Sequence, residues 1–191
     1  MKIGVLALQG AFAEHIAALR RLKVDTLEVR LPHQLSGLDG LIIPGGESTT
    51  ISRLMKEYHL TEEIRRLSRN GLAIFGTCAG MILLAKEVAD SDAEPLRLMD
   101  IKVKRNAYGR QVDSFETELP IPALGEKPFP AVFIRAPIVE QVNGNVEILA
   151  ELDGNCVTAR QGNLLACTFH PELTSDLRLH EYFVSIAARQ K

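Results

Sequence analysis

The chain has 191 residues, which is enough for one domain with a sizeable hydrophobic core. Its hydrophobic content of 46% is ordinary for a globular protein, and its formal net charge of -2 excludes the basic surface by which proteins bind nucleic acid. No apolar run reaches the roughly 18 residues of a membrane span. We therefore expect a single domain over residues 1–191 that binds neither nucleic acid nor a membrane.

The cysteines predict the compartment. The chain has an odd number of cysteines, and they are not closely spaced in the sequence: Cys78, Cys156 and Cys167. This pattern fits neither a disulfide framework nor a zinc site. We expect a cytoplasmic location, and we assign no metal and no cofactor. Cys156 and Cys167 lie within predicted strands and are interpreted as inert core cysteines.

Short apolar runs alternate with amphipathic segments in the first half of the chain. Strands are predicted at residues 2–8, 24–29, 38–43 and 72–75. Helices are predicted at residues 12–22, 48–58 and 60–69, with Ser48 or Thr49 as the cap of the second helix. Such alternation produces right-handed crossovers, so we predict an α/β fold with a mostly parallel twisted sheet and helices on both faces.

The second half of the chain has a different pattern. Short strands are predicted at residues 98–104, 111–118, 131–135, 146–151, 155–160 and 163–168. Turn residues such as Asp153 and Gly154 separate the later strands, which indicates antiparallel hairpins. A final amphipathic helix is predicted at residues 176–190.

Residues 72–84 carry the most informative pattern, LAIFGTCAGMILL. Cys78 lies between a predicted strand and a predicted helix, with Gly76 and Gly80 two positions to either side. This is the pattern of a nucleophile elbow in cysteine form, a tight turn in which only small residues fit beside the nucleophile. The alternative is a small cysteine packed at the end of a strand, and Cys78 alone does not decide between the two.

A base and an acid follow the last predicted strand, in the segment His170-Pro171-Glu172. A thiol nucleophile needs an imidazole to take and return its proton, and that imidazole needs a carboxylate to orient it. Alternate residues of an extended segment face opposite ways, so the proline must bend the chain if His170 and Glu172 are to act together. Otherwise they are a loop histidine and a surface glutamate.

A Pro-Gly-Gly turn follows the third predicted strand, at residues 44–46. Ligands bind at the carboxyl ends of parallel strands, where this turn, Cys78 and Gln9-Gly10 are all expected. Backbone N–H groups of the turn, opposite that of Ala79, would make an oxyanion hole. The alternative is a glycine turn that only precedes a helix.

The remaining histidines are expected on the surface. His15, His59 and His180 fall on polar helix faces or at a helix end, and His33 lies in a turn.

Three motifs, GTCAG, PGG and HPE, resemble those of the class I, or triad, glutamine amidotransferases, in the same order and at similar spacing. Further segments resemble the glutaminase subunits of glutamine-dependent pyridoxal 5'-phosphate synthases. They are KIGVLALQG from Lys2, PGGESTT from Pro44, Arg105-Asn106 with Tyr108-Gly109-Arg110, and FIRAP from Phe133. The resemblance covers essentially the whole chain.

The resemblance implies a reaction and a set of residues. Cys78 would attack the carboxamide of L-glutamine, His170 would protonate the departing ammonia, Glu172 would orient His170, and water would hydrolyse the glutamyl thioester to glutamate. The oxyanion hole would comprise Gly45, Gly46 and Ala79. The residues expected to contact glutamine are Gly46, Glu47, Ser48, Arg105, Ile134 and Arg135.

The resemblance also implies a partner. In this family a (β/α)₈-barrel synthase subunit uses the ammonia to make pyridoxal 5'-phosphate, and Gln9 and Gly10 are expected to contact it. The length points the same way, because a chain filled by one glutaminase domain has no room for a second domain that consumes ammonia. Two alternatives remain: a free-standing gamma-glutamyl hydrolase or cysteine peptidase on the same fold, and a noncatalytic regulatory relative.

Overall fold

The computed structural model describes residues 1–105 and 114–189. These residues form twelve strands and five α-helices. The strands are β1 Lys2–Leu6, β2 Asp25–Val29, β3 Gly40–Ile43, β4 Ala73–Thr77, β5 Ala85–Ala89, β6 Met99–Lys104, β7 Ser114–Leu119, β8 Phe129–Ile134, β9 Ile138–Val142, β10 Glu147–Leu152, β11 Asn155–Gln161 and β12 Leu164–Cys167. The helices are α1 Phe12–Arg21, α2 Ser48–Glu57, α3 Leu60–Arg69, α4 Ala79–Leu84 and α5 Arg178–Ala188.

The predicted α/β fold is confirmed. One seven-stranded sheet has the order β10-β11-β12-β4-β3-β1-β2. The pairs from β12 to β2 are parallel, whereas β10, β11 and β12 pair antiparallel through hairpins. Strands β3 and β4 are buried along their whole length, because helices cover both faces of a largely parallel sheet.

The two faces of the sheet carry separate hydrophobic clusters. Helices α2, α3 and α4 bury residues such as Ile51 and Ile64 against one face. Helices α1 and α5 bury residues such as Leu19 and Phe183 against the other. Phe75 of β4 packs on Phe183 at a ring-centroid distance of 5.5 Å. Strand β4 therefore lies between two packed layers, which hold its carboxyl end rigidly.

Two small sheets complete the structure. β5, β6 and β9 form one, and the β7–β8 hairpin forms the other. The sequence did not predict β5 or β9, since each has five residues and at most one buried position, too little for a periodic signal. The predicted strand at 111–118 is observed from Ser114 onward; its first three residues, and the motif residues Asn106, Tyr108, Gly109 and Arg110, lie outside the described residues.

The carboxyl ends of four strands meet at one edge of the large sheet. Gln9 follows β1, the Pro-Gly-Gly loop (residues 44–46) follows β3, Cys78 follows β4, and His170 follows β12. β12 lies directly beside β4, with Cys167 opposite Thr77. No helix within the described residues is long and apolar enough to cross a membrane.

Candidate active site

Cys78 occupies a strained turn between β4 and α4. Its backbone angles are φ 48° and ψ −104°, outside the regions that non-glycine residues prefer, and such a residue costs on the order of 1–3 kcal/mol. The surrounding fold holds it there, because its N–H donates to the carbonyl of Cys167 at 2.9 Å. A Cβ on Gly80 would overlap the carbonyl of Ile43, and one on Gly76 would lie 2.5 Å from the Gly80 carbonyl oxygen. The predicted need for small residues at the elbow is confirmed.

His170 and Glu172 face each other, as the prediction required. Pro171 starts a short 3-10 turn that bends the chain, and His170 Nδ1 hydrogen-bonds Glu172 Oε1 at 2.7 Å. Both residues are nearly buried, at 8% and 7% exposure. The backbone N–H of His170 donates a hydrogen bond to the carbonyl oxygen of Val132 at 2.8 Å, and this bond connects the turn to β8.

The charges around His170 favour its protonated form. Burial alone disfavours an imidazolium, but hydrogen bonds and opposite charge from Cys78 and Glu172 outweigh it and raise the pKa of His170 to about 10. Burial likewise opposes ionisation of Glu172, yet the adjacent His15 and His170 keep the pKa of that carboxyl below its ordinary value. The arrangement thus pairs a protonated base with an ionised acid beside the cysteine.

The expectation that His15 and His180 lie on the surface is wrong. Both side chains are completely buried, and His15 Nδ1 lies 2.9 Å from His180 Nε2. Burial lowers the pKa of both rings, that of His180 to about 3. A signal was present: His15 precedes the buried Ala18 and Leu19 by three and four positions, and His180 precedes Phe183 by three, so each lies on the apolar face of its helix.

The other nitrogen of His15 reaches the candidate triad. His15 Nε2 lies 3.2 Å from the Thr77 hydroxyl and 3.4 Å from Glu172 Oε2. Thr77 is the residue immediately before Cys78 and is fully buried. The sequence analysis assigned no role to Thr77 or to the two histidines.

The Pro-Gly-Gly loop packs against the histidine. A Cβ on Gly45 would overlap the His170 ring, and one on Gly10 would overlap the Gly45 carbonyl oxygen. The Gly45 N–H donates to Thr77 Oγ1 at 3.0 Å, so this amide is engaged behind the site. Gln9 Oε1 accepts the Glu47 N–H at 2.7 Å and holds the far end of the loop.

Glu47, rather than the predicted Ser48 or Thr49, caps α2. Its carboxylate accepts the N–H groups of Thr49 and Thr50 at 3.1 and 2.6 Å. Partial burial opposes ionisation, but these bonds, that of the Thr50 hydroxyl and the charge of Arg105 lower the pKa of Glu47 to about 2. Arg105 lies 2.9 Å from Glu47 Oε1. Glu47 is the capping residue because its carboxylate accepts hydrogen bonds from two backbone N–H groups at once.

A pocket of about 520 Å³ joins these groups. Of the predicted site residues, Gly45 and Glu172 lie behind its wall and the others line it. The lining residues are Gln9, Gly46, Glu47, Ser48, Cys78, Ala79, Ile82, Arg105, Ser114, Ile134, Arg135 and His170. Another cavity, of about 560 Å³, lies beside the amino end of β12 and is lined by no cysteine or histidine. The pocket at Cys78 is therefore the candidate active site.

Within residues 1–105 and 114–189, no group of three or more His, Cys, Asp or Glu side chains is placed to hold a metal ion. The pocket instead offers a thiol, an imidazole backed by a carboxylate, and a carboxylate paired with an arginine. These groups suit acyl transfer to sulfur from a ligand that carries its own charges.

Solved structures show the class of protein. A crystal structure of a glutamine amidotransferase superposes on this chain with a TM-score of 0.93 and 50% sequence identity, covering 97% of this chain and 98% of that one. A putative GMP synthase component from Thermoplasma acidophilum shares the fold, with a TM-score of 0.70 and 20% identity over 99% of this chain and 94% of its own. The fold is that of a glutamine amidotransferase.

The chain belongs to the SNO glutamine amidotransferase family, whose family model matches residues 5–189. It is 58% identical to the pyridoxal 5'-phosphate synthase subunit PdxT of Moorella thermoacetica, over 97% of this chain and 99% of that protein. It is 56% identical to PdxT of Thermotoga maritima, over 97% of this chain and 99% of that protein. The resemblance drawn from the motifs is confirmed, and the chain is an enzyme, a glutaminase of the amidotransferase type.

Proposed function

We propose that this chain hydrolyses L-glutamine to glutamate and ammonia through Cys78, His170 and Glu172, and that it delivers the ammonia to a synthase subunit that makes pyridoxal 5'-phosphate. The observation that carries the proposal is the shared pocket, which is lined both by Cys78 and His170 and by the Glu47–Arg105 ion pair. The names of its relatives, pyridoxal 5'-phosphate synthase subunits, support the product.

The reaction begins with a thiolate at Cys78 and an imidazolium at His170, the pair favoured by the raised pKa of His170. The sulfur attacks the carboxamide carbon of glutamine, and the carbonyl oxygen becomes an oxyanion. As the intermediate collapses, His170 Nε2 gives its proton to the nitrogen, the C–N bond breaks and ammonia leaves. Glu172 holds Nδ1 and stabilises the imidazolium until that transfer.

The second half of the reaction releases the product. His170, now neutral, takes a proton from a water molecule that attacks the glutamyl thioester. The C–S bond then breaks, and Cys78 returns to the thiolate beside a protonated His170. The new γ-carboxyl group loses its remaining proton to solvent, and glutamate leaves. Nothing is oxidised or reduced, and water is the only other reactant.

The three residues of the predicted oxyanion hole are proposed to have two different roles. Gly46 and Ala79 line the pocket, and their N–H groups are proposed as the donors. The amide of Gly45 is held by Thr77, so its part in the site is to hold the loop against the ring of His170.

The charged groups of glutamine suit the charged side chains that line the pocket. A carboxylate at Glu47 would bind its ammonium group, and Arg105 and Arg135 would bind its carboxylate. Ser48 and the backbone of Ile134 complete the proposed binding set. The Ile134 carbonyl oxygen lies 3.8 Å from the Cys78 sulfur, so this segment is close to where the carboxamide must bind.

The partner is proposed to be a (β/α)₈-barrel synthase subunit that docks beside Gln9 and Gly10, the two residues after β1 that contact the Pro-Gly-Gly loop and its neighbour Glu47. A cytoplasmic location is proposed with it, because the three cysteines are free thiols. Residues 1–191 are proposed to form one glutaminase domain.

Glutamate release, measured with and without the synthase subunit, tests the proposal. Weak release by the chain alone and strong stimulation by the partner are expected. Full activity without a partner would instead favour a free-standing gamma-glutamyl hydrolase or cysteine peptidase. No release under either condition would contradict the assignment of the pocket.

A further inference from the structure

Two buried histidines lie behind the candidate triad and have no part in the reaction above. His15 on α1 and His180 on α5 are both 0% exposed, and their nearest nitrogens, Nδ1 and Nε2, are 2.9 Å apart. The other nitrogen of His15 faces two oxygens, those of Thr77 at 3.2 Å and of Glu172 at 3.4 Å. One ring therefore touches the residue before the nucleophile and the acid of the triad.

The surroundings decide which nitrogen of His15 carries the proton. If Nε2 were bare, its lone pair would face the ionised carboxylate of Glu172, which is unfavourable. With the proton on Nε2, the N–H points at Thr77 Oγ1 and also attracts Glu172 Oε2. His15 Nδ1 then accepts the Nε2–H of His180, so both rings are neutral Nε2–H tautomers.

The two carboxylate oxygens of Glu172 differ in their hydrogen bonding. Oε1 is held by His170, whereas Oε2 is buried and finds no hydrogen bond within the described residues beyond the longer contact to His15. A buried carboxylate oxygen without a partner is destabilising, because it has lost its hydration without gaining a hydrogen bond. The His15 Nε2–H, 3.4 Å from this oxygen, partly compensates for that loss and so limits how Glu172 can turn.

Resting on the triad proposed above, we propose that His15 is a positioning residue, held in its Nε2–H tautomer by His180, which orients Glu172 and anchors Thr77. Thr77 in turn accepts the N–H of Gly45, so the same ring steadies the acid and the loop that packs on His170. His15 touches neither substrate nor sulfur. It acts through residues that do.

The competing interpretation is that the two rings only fill space. Both contact Phe75 edge to face, at centroid distances of 6.3 and 6.2 Å, and any ring of similar size would serve in packing. Packing and positioning differ in one respect: positioning needs the hydrogen-bond donor at Nε2, and packing does not.

Two variants of His15 separate these interpretations. His15→Gln places an amide donor near the position of Nε2, and His15→Asn places it near Nδ1, which leaves Thr77 and Glu172 without a donor. Partner-stimulated glutaminase activity is measured for both. We expect His15→Asn to lower kcat by about 10- to 100-fold, the worth of a hydrogen bond to a charged group. KM is expected to stay unchanged, and His15→Gln is expected to recover most of the loss.

The control is His59→Asn, an exposed histidine whose φ of 58° is a conformation that asparagine tolerates, and it is expected to behave as the wild type. Equal activity of both His15 variants and the wild type would overturn the proposal. Equal loss in both variants, or a rise in KM that matches the fall in kcat, would assign His15 to packing and overturn it as well.

A spectroscopic measurement tests the tautomer of His15 without measuring enzyme activity. Nitrogen-15 labelled histidine resonances of the folded protein distinguish the two tautomers, and both His15 and His180 are expected to carry the proton on Nε2 at neutral pH. A proton on His15 Nδ1 would overturn the inference even in an active enzyme. Conversely, a wild type that releases no glutamate would contradict the proposed function, while the tautomer would still decide what His15 does.

Should His15→Asn not fold, as judged by its unfolding transition, Thr77→Val and Thr77→Ser test the same connection from the other side. Valine has the shape of threonine without its oxygen, and serine keeps the oxygen. Loss of kcat in the first and retention in the second support the anchoring role. Equal activity in both would overturn it.

Discussion

Gly45 donates its N–H to the hydroxyl oxygen of Thr77 at 3.0 Å, so the Pro-Gly-Gly loop is bonded to the strand that carries Cys78. Thr77 is the last residue of β4, and Gly45 lies in the loop after β3. His15, which lies 3.2 Å from the Thr77 hydroxyl, belongs to α1. The loop therefore does not lie free beside the nucleophile. Its position depends on a buried hydroxyl.

The first prediction concerns that hydroxyl. Thr77→Val leaves the buried Gly45 N–H without an acceptor, and an unpaired buried group of this kind costs about 1–3 kcal/mol. We expect the free energy of unfolding in urea to fall by this amount. Thr77→Ser is the matched control, since its oxygen remains. A valine variant as stable as the wild type would show that the loop finds another partner.

The second prediction concerns Gly45 itself. A Cβ at this position would overlap the His170 ring, so Gly45→Ala must displace the imidazole or the loop. A misplacement of about 1 Å in an active site can cost 100-fold in rate, and we expect a loss of about that size in partner-stimulated glutaminase activity.

The control for Gly45→Ala is Gly162→Asn, at a hairpin turn where φ is 57° and an added Cβ meets nothing within 4 Å. Asparagine accepts this conformation, so activity should be unchanged. An alanine variant at position 45 with full activity would contradict the tight packing of the loop on His170.

The third prediction concerns the three cysteines. A glutamine analogue that alkylates thiols is expected to label Cys78 and to spare the other two. Burial raises the pKa of Cys156 to about 11 and that of Cys167 well above its usual range, so neither forms a thiolate near neutral pH. Peptide mapping by mass spectrometry locates the label.

Cys78→Ala is the control for the labelling experiment. It should remove the label and the glutaminase activity, yet leave the unfolding transition near that of the wild type, because the side chain lies at the pocket wall. Label on Cys156 or Cys167, or loss of folding in the alanine variant, would contradict the assignment of Cys78 as nucleophile.

The fourth prediction concerns pH. The folded-state pKa of His170 is about 10, above the ordinary value of 6.5, so folding binds a proton at this ring. The stability that His170 contributes is then fully present below about pH 6.5 and is lost as pH rises toward about 10. We expect the difference in unfolding free energy between the wild type and His170→Asn to shrink across this range.

The control for the pH experiment is His33→Asn, which replaces an exposed histidine in the turn after β2. A difference for His170→Asn that is constant from pH 6.5 to 10 would contradict the raised pKa. Cys78→Ala should weaken the dependence, because Cys78 is one of the groups that hold the proton on His170.

Much of the site could be predicted because its signals are local. Glycines two residues to either side of Cys78 indicate a tight turn, and the structure shows that a Cβ at either glycine would be too close to the backbone. A proline between His170 and Glu172 indicates a bend, and that bend brings the two side chains to 2.7 Å. Such patterns depend only on steric limits over a few residues.

Other features could not be predicted, because they depend on which of several possible hydrogen-bond partners a backbone group meets in the folded chain. Ser48 and Thr49 are good capping residues, yet the Glu47 carboxylate caps α2 because it accepts from Thr49 and Thr50 together. Strands β5 and β9 escaped prediction because they are short and largely exposed, and only pairing with β6 makes them strands.

The sequence by itself determined the parallel α/β frame, the elbow at Cys78 and the bent His170–Glu172 pair, since apolar periodicity, glycine and proline act over short distances along the chain. Only the tertiary structure brought His15 and His180 together, because they are 165 positions apart. Their spacing to buried apolar residues places each on the apolar face of its helix, but it does not name the partner. Their burial results from the packing of α1 and α5 on the same face of the sheet. A polar side chain there is stable only when another buried polar group meets it, and that partner is set by the fold.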